Sequence, residues 1–547
     1  MNYFTKCLIN MMLLLATTNL AAQNFLNNSS SDLLSTIRSP MFGTDIVMQN
    51  EPSQDQRLIA VTSAFNGWLY AVYGYRSDDH AAFTIQRSID DGATWTVLLS
   101  GPIIAKPTEF IDLDILVPGN SLSDMKIVLA GIYRVIGNLL GRVFVSCYNA
   151  QTGTPIKNLL QEMDCYHVAL TSGTPNTSDS PGPFSFGVLY SKLYYSTGDS
   201  VIFVSSSNGG ESLDHYQAVA HAPWPFRFHD VSLAYGSRTN GGSGQYFAAW
   251  EHFANMDATR GHIYTSRSVP DLAGAFTVPK NLDSLDLSIV NQCRNPRIAC
   301  QYGDMVNDSA NLTALVLCDR YNTATAGYDI LGFCNRQAAD HDYFTKFNLT
   351  AGPGTECNAD IAFNPYDSTF MVTYFDSTQL KLPFLVNEFN LANPGSWSMI
   401  TTAYNDNSNL LSPFPKVACD PLRHSGVNAW ISEGPGGNGI ALFDAPYHVY
   451  TGMDMEPGNN EKGLACHVWP NPANGILNIK FDLDREERVI LSLKDMTGCR
   501  IKIIADRTFP KGRQHLTANL SDLPSGGYFV TIRTGSLIQA LKVFKVN

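Results

Sequence analysis

The feature that most constrains this chain is a short pattern that returns along most of its length: a polar residue, a β-branched or aliphatic residue, a small residue, then another strand position. It reads His167-Val-Ala-Leu, Asp230-Val-Ser-Leu, Arg297-Ile-Ala-Cys, Asp360-Ile-Ala-Phe and Lys416-Val-Ala-Cys419, with weaker copies at Asp112-Leu-Asp-Ile and Leu58-Ile-Ala-Val. Spaced roughly 55 to 67 residues apart, the copies mark one supersecondary unit repeated about seven times with variable loops. Several are followed by short strand patterns, such as Tyr246-Phe-Ala-Ala-Trp250, Phe370-Met-Val-Thr-Tyr374 and Val427-Asn-Ala-Trp430, between Gly, Asn and Asp turns. A four-stranded unit cannot bury both apolar faces of its sheet alone, so neighbours must stack about an axis. The predicted fold is all-β, a β-propeller over residues 45–450 with about seven blades and bounds of six and eight.

Ahead of the repeat, Lys6 precedes a mostly apolar run from Leu8 to Ala16, and Ala21 and Ala22 offer a cleavage site before Gln23. Residues 1–22 therefore read as a secretory signal peptide and 23–44 as a leader. The run is shorter than the roughly 20 apolar residues of a membrane-spanning helix, and no later stretch approaches that length, so no integral membrane segment is expected. A formal net charge of -12 disfavours nucleic acid as a partner, because such partners select basic surfaces. Beyond the signal lie Cys147, Cys165, Cys293, Cys300, Cys318, Cys334, Cys357, Cys419, Cys466 and Cys499, an even number that permits disulfides in an exported chain, the alternative for some of them being plain buried thiols. There is no Cys-x-x-Cys and no His cluster with zinc spacing, so neither a metal nor a cofactor is expected.

One turn is more specific. Ser88-Ile-Asp-Asp-Gly-Ala-Thr-Trp95 matches the Asp-box at each defining position, Ser88, Asp90, Gly92, Thr94 and Trp95. Asp90 is placed to fold back onto turn amides, Gly92 to take a positive φ, and Trp95 to insert between sheets. Ser206 to Leu213 is a degenerate copy, and Ser268 to Phe276 and Asn390 to Trp397 are eroded ones. These turns resemble those of sialidases and other extracellular propellers, where they brace hairpins away from the active centre.

The texture changes after an acidic, Gly-containing stretch, Met453 to Lys462, which places a linker at 451–465 and a second domain at 466–547. Ile476-Leu-Asn-Ile-Lys-Phe481, Val489-Ile-Leu-Ser-Leu493 and Tyr528-Phe-Val-Thr-Ile-Arg533 alternate as half-buried strands of a small immunoglobulin-like β-sandwich. Four motifs occur in order: Pro470, Asn471, Pro472 and Gly475 within Trp469 to Gly475; Gly498 closing Lys494-Asp-Met-Thr-Gly; Gly527 and Tyr528 within Leu523 to Phe529; and Lys542 opening Lys542-Val-Phe-Lys545. Together they resemble the type A sorting domain of type IX secretion substrates, with Trp469 where Tyr or Phe is usual. The resemblance implies periplasmic transit in a Gram-negative bacterium, recognition by the type IX translocon, and removal of the domain by its sortase-like peptidase. The passenger would then be secreted or held on the outer surface. Asp199-Ser-Val, Asp283-Ser-Leu, Asp308-Ser-Ala, Asp367-Ser-Thr and Asp376-Ser-Thr378 also resemble the O-glycosylation triplets of the phylum that uses this pathway, or serve as plain turns.

The first strand of every blade lines a propeller's channel, so the recurrent polar position is expected to form a ring: Asp112, His167, Asp230, Arg297, Asp360 and Lys416. The ring is either a ligand funnel or a set of groups that pair with one another and solvate a channel. Three acids, one arginine, one lysine and one histidine nearly balance, which suits a neutral or zwitterionic polar ligand better than an anion. The sialidase resemblance would draw on Arg38, on Asp79 as general acid and on Arg297 as a second guanidinium, but a third arginine and a Tyr/Glu pair do not stand out. Gly-x-Ser-x-Gly, His-Glu-x-x-His and phosphate-loop motifs are absent. The expected function is a secreted or cell-surface binding or adhesion propeller for glycans or matrix components, the alternatives being a sialidase-like glycoside hydrolase and a purely structural surface protein.

Deleting the residues after Lys462 is expected to leave the passenger folded in the periplasm. Fractionation of the native host checks this, and normal surface delivery of the truncated chain would refute it.

Overall fold

The strand Leu69–Ser77 shows how the repeat packs. Tyr70 and Val72 enter one apolar layer, while Leu69, Ala71, Tyr73 and Tyr75 enter another on the opposite face. Both faces are apolar, so the strand must be covered on both sides, and a neighbouring sheet covers each.

The computed structural model describes residues 41 to 447 and 467 to 545 with interruptions, the longest at 174–183, 303–311 and 388–396. The signal peptide, Arg38 and the linker at 451–465 lie outside the described residues. Six blades are four-stranded antiparallel units, two of them fused into one seven-stranded sheet through a shared strand, and a seventh blade is completed from both ends of the repeat region. Blade 1 runs Asp55–Ser63, Leu69–Ser77, His80–Ser88 and Thr96–Pro102 from the axis outward. Blades 2 and 3 share the strand Pro155–Ser172, whose first part pairs with Gly141–Asn149 as the outer edge of blade 2. Its last part pairs with Phe186–Tyr194 as the inner strand of blade 3. Blades 4, 5 and 6 open with the inner strands Arg227–Gly236, Cys293–Cys300 and Glu356–Asn364. Blade 7 takes Lys416–Asp420, Ser425–Glu433 and Gly439–Asp444, and its fourth strand is Ile46–Val47 from the start of the described chain.

Each inner strand touches the next, and the last touches the first, so the ring is closed. Seven apolar clusters fill the seven gaps between neighbouring blades. Ring closure is also made by polar groups: the Gly439 amide donates to Asp55 at 2.9 Å, the Ala441 amide to Gln56, and the Ser63 hydroxyl to the Cys419 carbonyl. The fold is therefore an all-β propeller with seven blades. The remaining strands form a separate sandwich. His467–Trp469, Ile476–Leu483 and Gly512–Asn519 make one sheet, and Arg500–Phe509, Glu487–Asp495, Gly526–Arg533 and Ile538–Lys545 make the other. Leu477, Ile479, Phe481, Val489, Leu491, Leu493, Val530 and Ile532 alternate inward to form its core.

The strands of a blade alternate in direction, so the loop into each inner strand and the turn between strands two and three share one face, here called the upper face. Turns between strands three and four lie on the lower face. There, Ser88 donates to Asp90 at 2.8 Å, Asp90 accepts from the Thr94 amide at 2.9 Å, and the Gly92 amide donates to Ser88 at 2.8 Å. Ser206, Asn208, Gly210 and Ser212 repeat the same bonds in blade 3. The aromatic that closes such a turn leans on the preceding blade: Trp95 on Phe443 at 5.1 Å, Phe276 on Phe203 at 5.1 Å, and Trp397 on Phe347 at 6.5 Å.

Two expectations are corrected. Cys147, Cys165, Cys293, Cys300, Cys318, Cys334 and Cys357 are buried free thiols and form no disulfide; most of them fill the apolar layers between blades as small hydrophobes. Burial pushes the Cys165 thiol up to about 12, which suppresses its reactivity. In the triplet Asp199-Ser-Val both Asp199 and Ser200 are buried, so the folded chain offers no hydroxyl there for glycosylation.

Trp95 is half-buried, so Trp95→Ala is expected to cost about 2 kcal/mol, below the roughly 3–5 kcal/mol of a fully enclosed ring. Gly92→Ala should cost at least as much, because φ is 87° and its Cβ would stand 2.0 Å from the Phe443 ring. Urea unfolding midpoints identical to wild type in both variants would show that the turn braces nothing.

Candidate functional site

The inner strand of a blade has one edge that no strand pairs, and its amides need other acceptors. Side chains of the neighbouring blade supply them. Asp112 of blade 2 accepts from the Val168 amide at 2.9 Å, Asp114 from Leu170 at 2.7 Å, Ser232 from Ile298 at 3.0 Å, and Asp360 from Val417 at 2.9 Å. Each contact crosses from one blade to the next.

A register shift precedes the recurrent polar position in six of the seven inner strands, between Gln56 and Leu58, Phe110 and Asp112, Cys165 and Val168, Phe228 and Val231, Arg294 and Arg297, and Cys357 and Asp360. Such bulges turn a strand locally and re-aim its side chains. Asn295 and Asn358 within them take positive φ, at 51° and 55°, and Asp164, just before the blade 3 bulge, does so at 66°. The bulge amides are capped in turn by buried groups one strand out. Glu251 accepts from Asp230 at 3.1 Å and from the Asn295 amide, Asp319 accepts from Asn358 at 2.8 Å, and the His167 amide donates to Ser191 at 3.2 Å.

These bonds bring five of the six expected ring residues into one chain of contacts. His167 Nδ1 lies 3.3 Å from Asp112 and 3.7 Å from Asp230. Arg297 donates to Asp230 at 2.7 Å, and its Nε stands 3.9 Å from Asp360. Arg297 also feels the charge of Asp112 from across the channel, and Lys416 acts on Asp114 in the same way. Blade 1 contributes Leu58 at this position and leaves an apolar sector.

The electrostatics are those of a compensated cluster. Burial alone would push His167 down, but Asp230 and Asp112 outweigh it and hold the imidazolium up to about 9. Burial would raise Asp230, yet Arg297 and His167 bring it below the ordinary carboxylate value. Burial raises Asp114 to about 6 despite the Leu170 amide and Lys416, and it raises Asp319 to about 6 despite Arg294.

Asp79 sits apart from this cluster. It occupies an exposed upper-face turn of blade 1 with φ 64°, paired with Arg76, and its carbonyl accepts from the Thr108 amide at 2.8 Å. Several site residues escaped the sequence reading. The His229 ring lies 4.6 Å from that of His167, tilted by 60°, with its Nδ1 3.2 Å from Glu251, and Tyr166 lies 5.9 Å from the His229 ring. Glu251 and Asp319 carried a readable signal, a lone acid at the end of an otherwise apolar strand.

The fold and ring define the class: a seven-bladed β-propeller with a polar channel, followed by a β-sandwich. Residues 467–546 match the family of secretion system C-terminal sorting domains, so the chain is a substrate of type IX secretion, a secreted or cell-surface protein. In that domain the Leu520 amide donates to the Gly475 carbonyl at 2.6 Å, Tyr528 is buried, and Gly527 and Lys542 pair opposite Phe544 and Phe529. Pro470, Asn471, Pro472 and Gly498 lie outside the described residues. No curated protein matches the chain in sequence. Among solved structures it is similar to the Penicillium chrysogenum α-L-arabinanase, at 10% identity and TM-score 0.43 over 74% of this chain and 99% of that one. It is similar to the phage phi92 endosialidase at 10% identity and TM-score 0.42, over 91% and 79%. A Dyadobacter fermentans protein of unknown function gives 13% identity and TM-score 0.37, over 74% and 98%. Scores this low say nothing of activity. Among the described residues, no helix is long and apolar enough to cross a membrane, and no cluster of His, Cys, Asp and Glu is arranged to hold a metal.

The pKa of His167 is higher folded than unfolded, so its pairing stabilises fully below about pH 6.5 and is lost as pH rises through about 9. Wild-type stability should fall by on the order of 1–3 kcal/mol between pH 7 and 9.5, and His167→Gln should flatten that slope. Parallel slopes in chemical unfolding across this range would show that the imidazolium is not held by its neighbours.

Proposed function

We propose that the passenger is a binding propeller that takes a neutral, hydroxyl-rich ligand, a glycan or matrix carbohydrate, at the upper mouth of its channel. The observation that carries this reading is the mutual engagement of the ring charges: Arg297 on Asp230 and Asp360, and His167 between Asp112 and Asp230. A ligand carboxylate would have to displace an internal carboxylate from Arg297, whereas hydroxyls can hydrogen-bond to the outer side of each pair without breaking it. The same engagement weighs against a sialidase-like hydrolase, which needs guanidinium groups available for the substrate's carboxylate. Asp79, the expected acid, is held by Arg76 on an exposed turn. We read the Ser88–Trp95 turn as an Asp-box that braces the lower face and takes no part in the site.

The test is a glycan array probed with the purified passenger, alongside hydrolysis assays on sialosides. Neutral glycans should bind, and His167→Gln should weaken binding by about tenfold, roughly 1.4 kcal/mol. Capture of sialylated glycans alone, or sialoside turnover lost in Arg297→Lys, would overturn this reading in favour of the hydrolase.

A further inference from the structure

The loop that carries the chain from blade 3 into blade 4, His221-Ala-Pro-Trp-Pro-Phe226, lies on the upper face and ends four residues before Asp230. It presents two aromatic rings to solvent: Trp224 is 62% exposed and Phe226 39%. The two rings stand two residues apart beside a polar channel and so make a local aromatic patch, not scattered single exposures.

The ledge is held in place from beneath. The Arg227 guanidinium lies 4.7 Å from the Trp224 ring centroid, and Arg227 is itself buried. It donates to Asp199 at 2.9 Å and to the Tyr166 hydroxyl at 2.9 Å, and the second Asp199 oxygen accepts from the Phe228 amide at 3.1 Å. Phe226 stacks on His252 at 5.2 Å, and the Phe226 amide closes a turn onto the Pro223 carbonyl at 3.1 Å. Arg227 is thus a strut whose charge is already matched by Asp199. From the ledge a continuous path leads inward through Tyr166 to His229, whose side chain is 46% exposed, and then to His167 in the ring.

We infer that Trp224 is a stacking subsite for one pyranose ring of a neutral oligosaccharide whose next residue reaches His229 and the His167 cluster. A pyranose offers an apolar C–H face bordered by hydroxyls, which matches a flat indole beside an imidazole and a phenol. The indole already rests on the Arg227 guanidinium, which reduces the side-chain freedom to be lost on contact. Nucleobases would stack on the same indole, but their phosphates would meet a chain of net charge -12 whose nearest guanidinium is paired.

This inference rests on the channel mouth being the binding site, and the experiment separates the two. Neutral hexasaccharides of glucose, mannose and N-acetylglucosamine are titrated against wild type, Trp224→Ala, Trp224→Phe and His167→Gln, by calorimetry and by acrylamide quenching of tryptophan emission. At least one hexasaccharide should bind and should protect wild-type emission from the quencher. Trp224→Ala should weaken binding by about tenfold or more and abolish that protection, while Trp224→Phe keeps most of the affinity. Trp224 is exposed, and an unchanged circular dichroism spectrum will show that its variants fold. If Trp224→Ala binds like wild type while His167→Gln is impaired, the stacking subsite is wrong and the channel reading survives. The reverse pattern keeps the ledge and removes the channel. Binding of none of the three neutral probes overturns the inference.

Discussion

Each blade has one edge that no strand covers, and the molecule is organised around satisfying it. A closed barrel hydrogen-bonds its edges to one another, but a propeller turns seven inner edges toward an axis where the neighbouring strand is too far away to pair. Unpaired amides in a buried setting each cost on the order of 1–3 kcal/mol. Asp112, Asp114, Ser232 and Asp360 therefore project sideways and accept those amides, and Glu251 and Asp319 do the same for the bulges. The channel is acidic because the edges need acceptors. Its cations, His167, Arg297 and Lys416, then neutralise the acids that the edges require.

That ordering explains what the sequence made legible. The recurring polar residue before a Val-Ala or Ile-Ala pair was visible because successive inner strands place a polar group at the same point, where Asp112 and Asp360 cap a neighbour's edge, and a ring could be expected from spacing alone. The blade count was legible for the same reason, with the apolar layers supplying the small residue beside each polar one. The bulges were hidden: a register shift leaves no fixed residue type, and only Asn295 and Asn358 hint at a positive φ. Lone acids in apolar strands, Glu251 and Asp319, could have been picked out, since an acid there needs a donor from somewhere.

The rim was illegible for a different reason. Arg227, Asp199 and Tyr166 come from three different strands, with Asp199 and Tyr166 lying 28 and 61 residues from Arg227, and nothing in their local patterns announces that they meet. Asp199 even read as part of a modification triplet, because Asp-Ser before a small or aliphatic residue is also what a tight turn looks like. In the folded chain these residues open a strand, and Asp199 is a buried anchor. Local motifs on a repeat protein therefore report turns reliably and chemistry poorly, because each turn is reused at every blade while a site forms at only one.

Separation of roles follows from the geometry. The lower-face turns carry their load radially, each closing aromatic leaning on the blade before it, and they lie at the opposite end of the inner strands from the bulges. The ring carries its load around the axis. Neither system uses Trp224 or Phe226, whose exposed rings are supported from beneath without being needed for closure. On the proposed function, changes at the rim redirect binding at little expense to the fold, whereas a change at Asp112 or Asp360 removes an acceptor from a neighbouring blade and a counter-charge from the ring together. On the binding function proposed above, ligand choice is free to vary at the rim of blades 3 and 4, and the compensated ring beneath sets only the broad condition that the ligand be polar and uncharged.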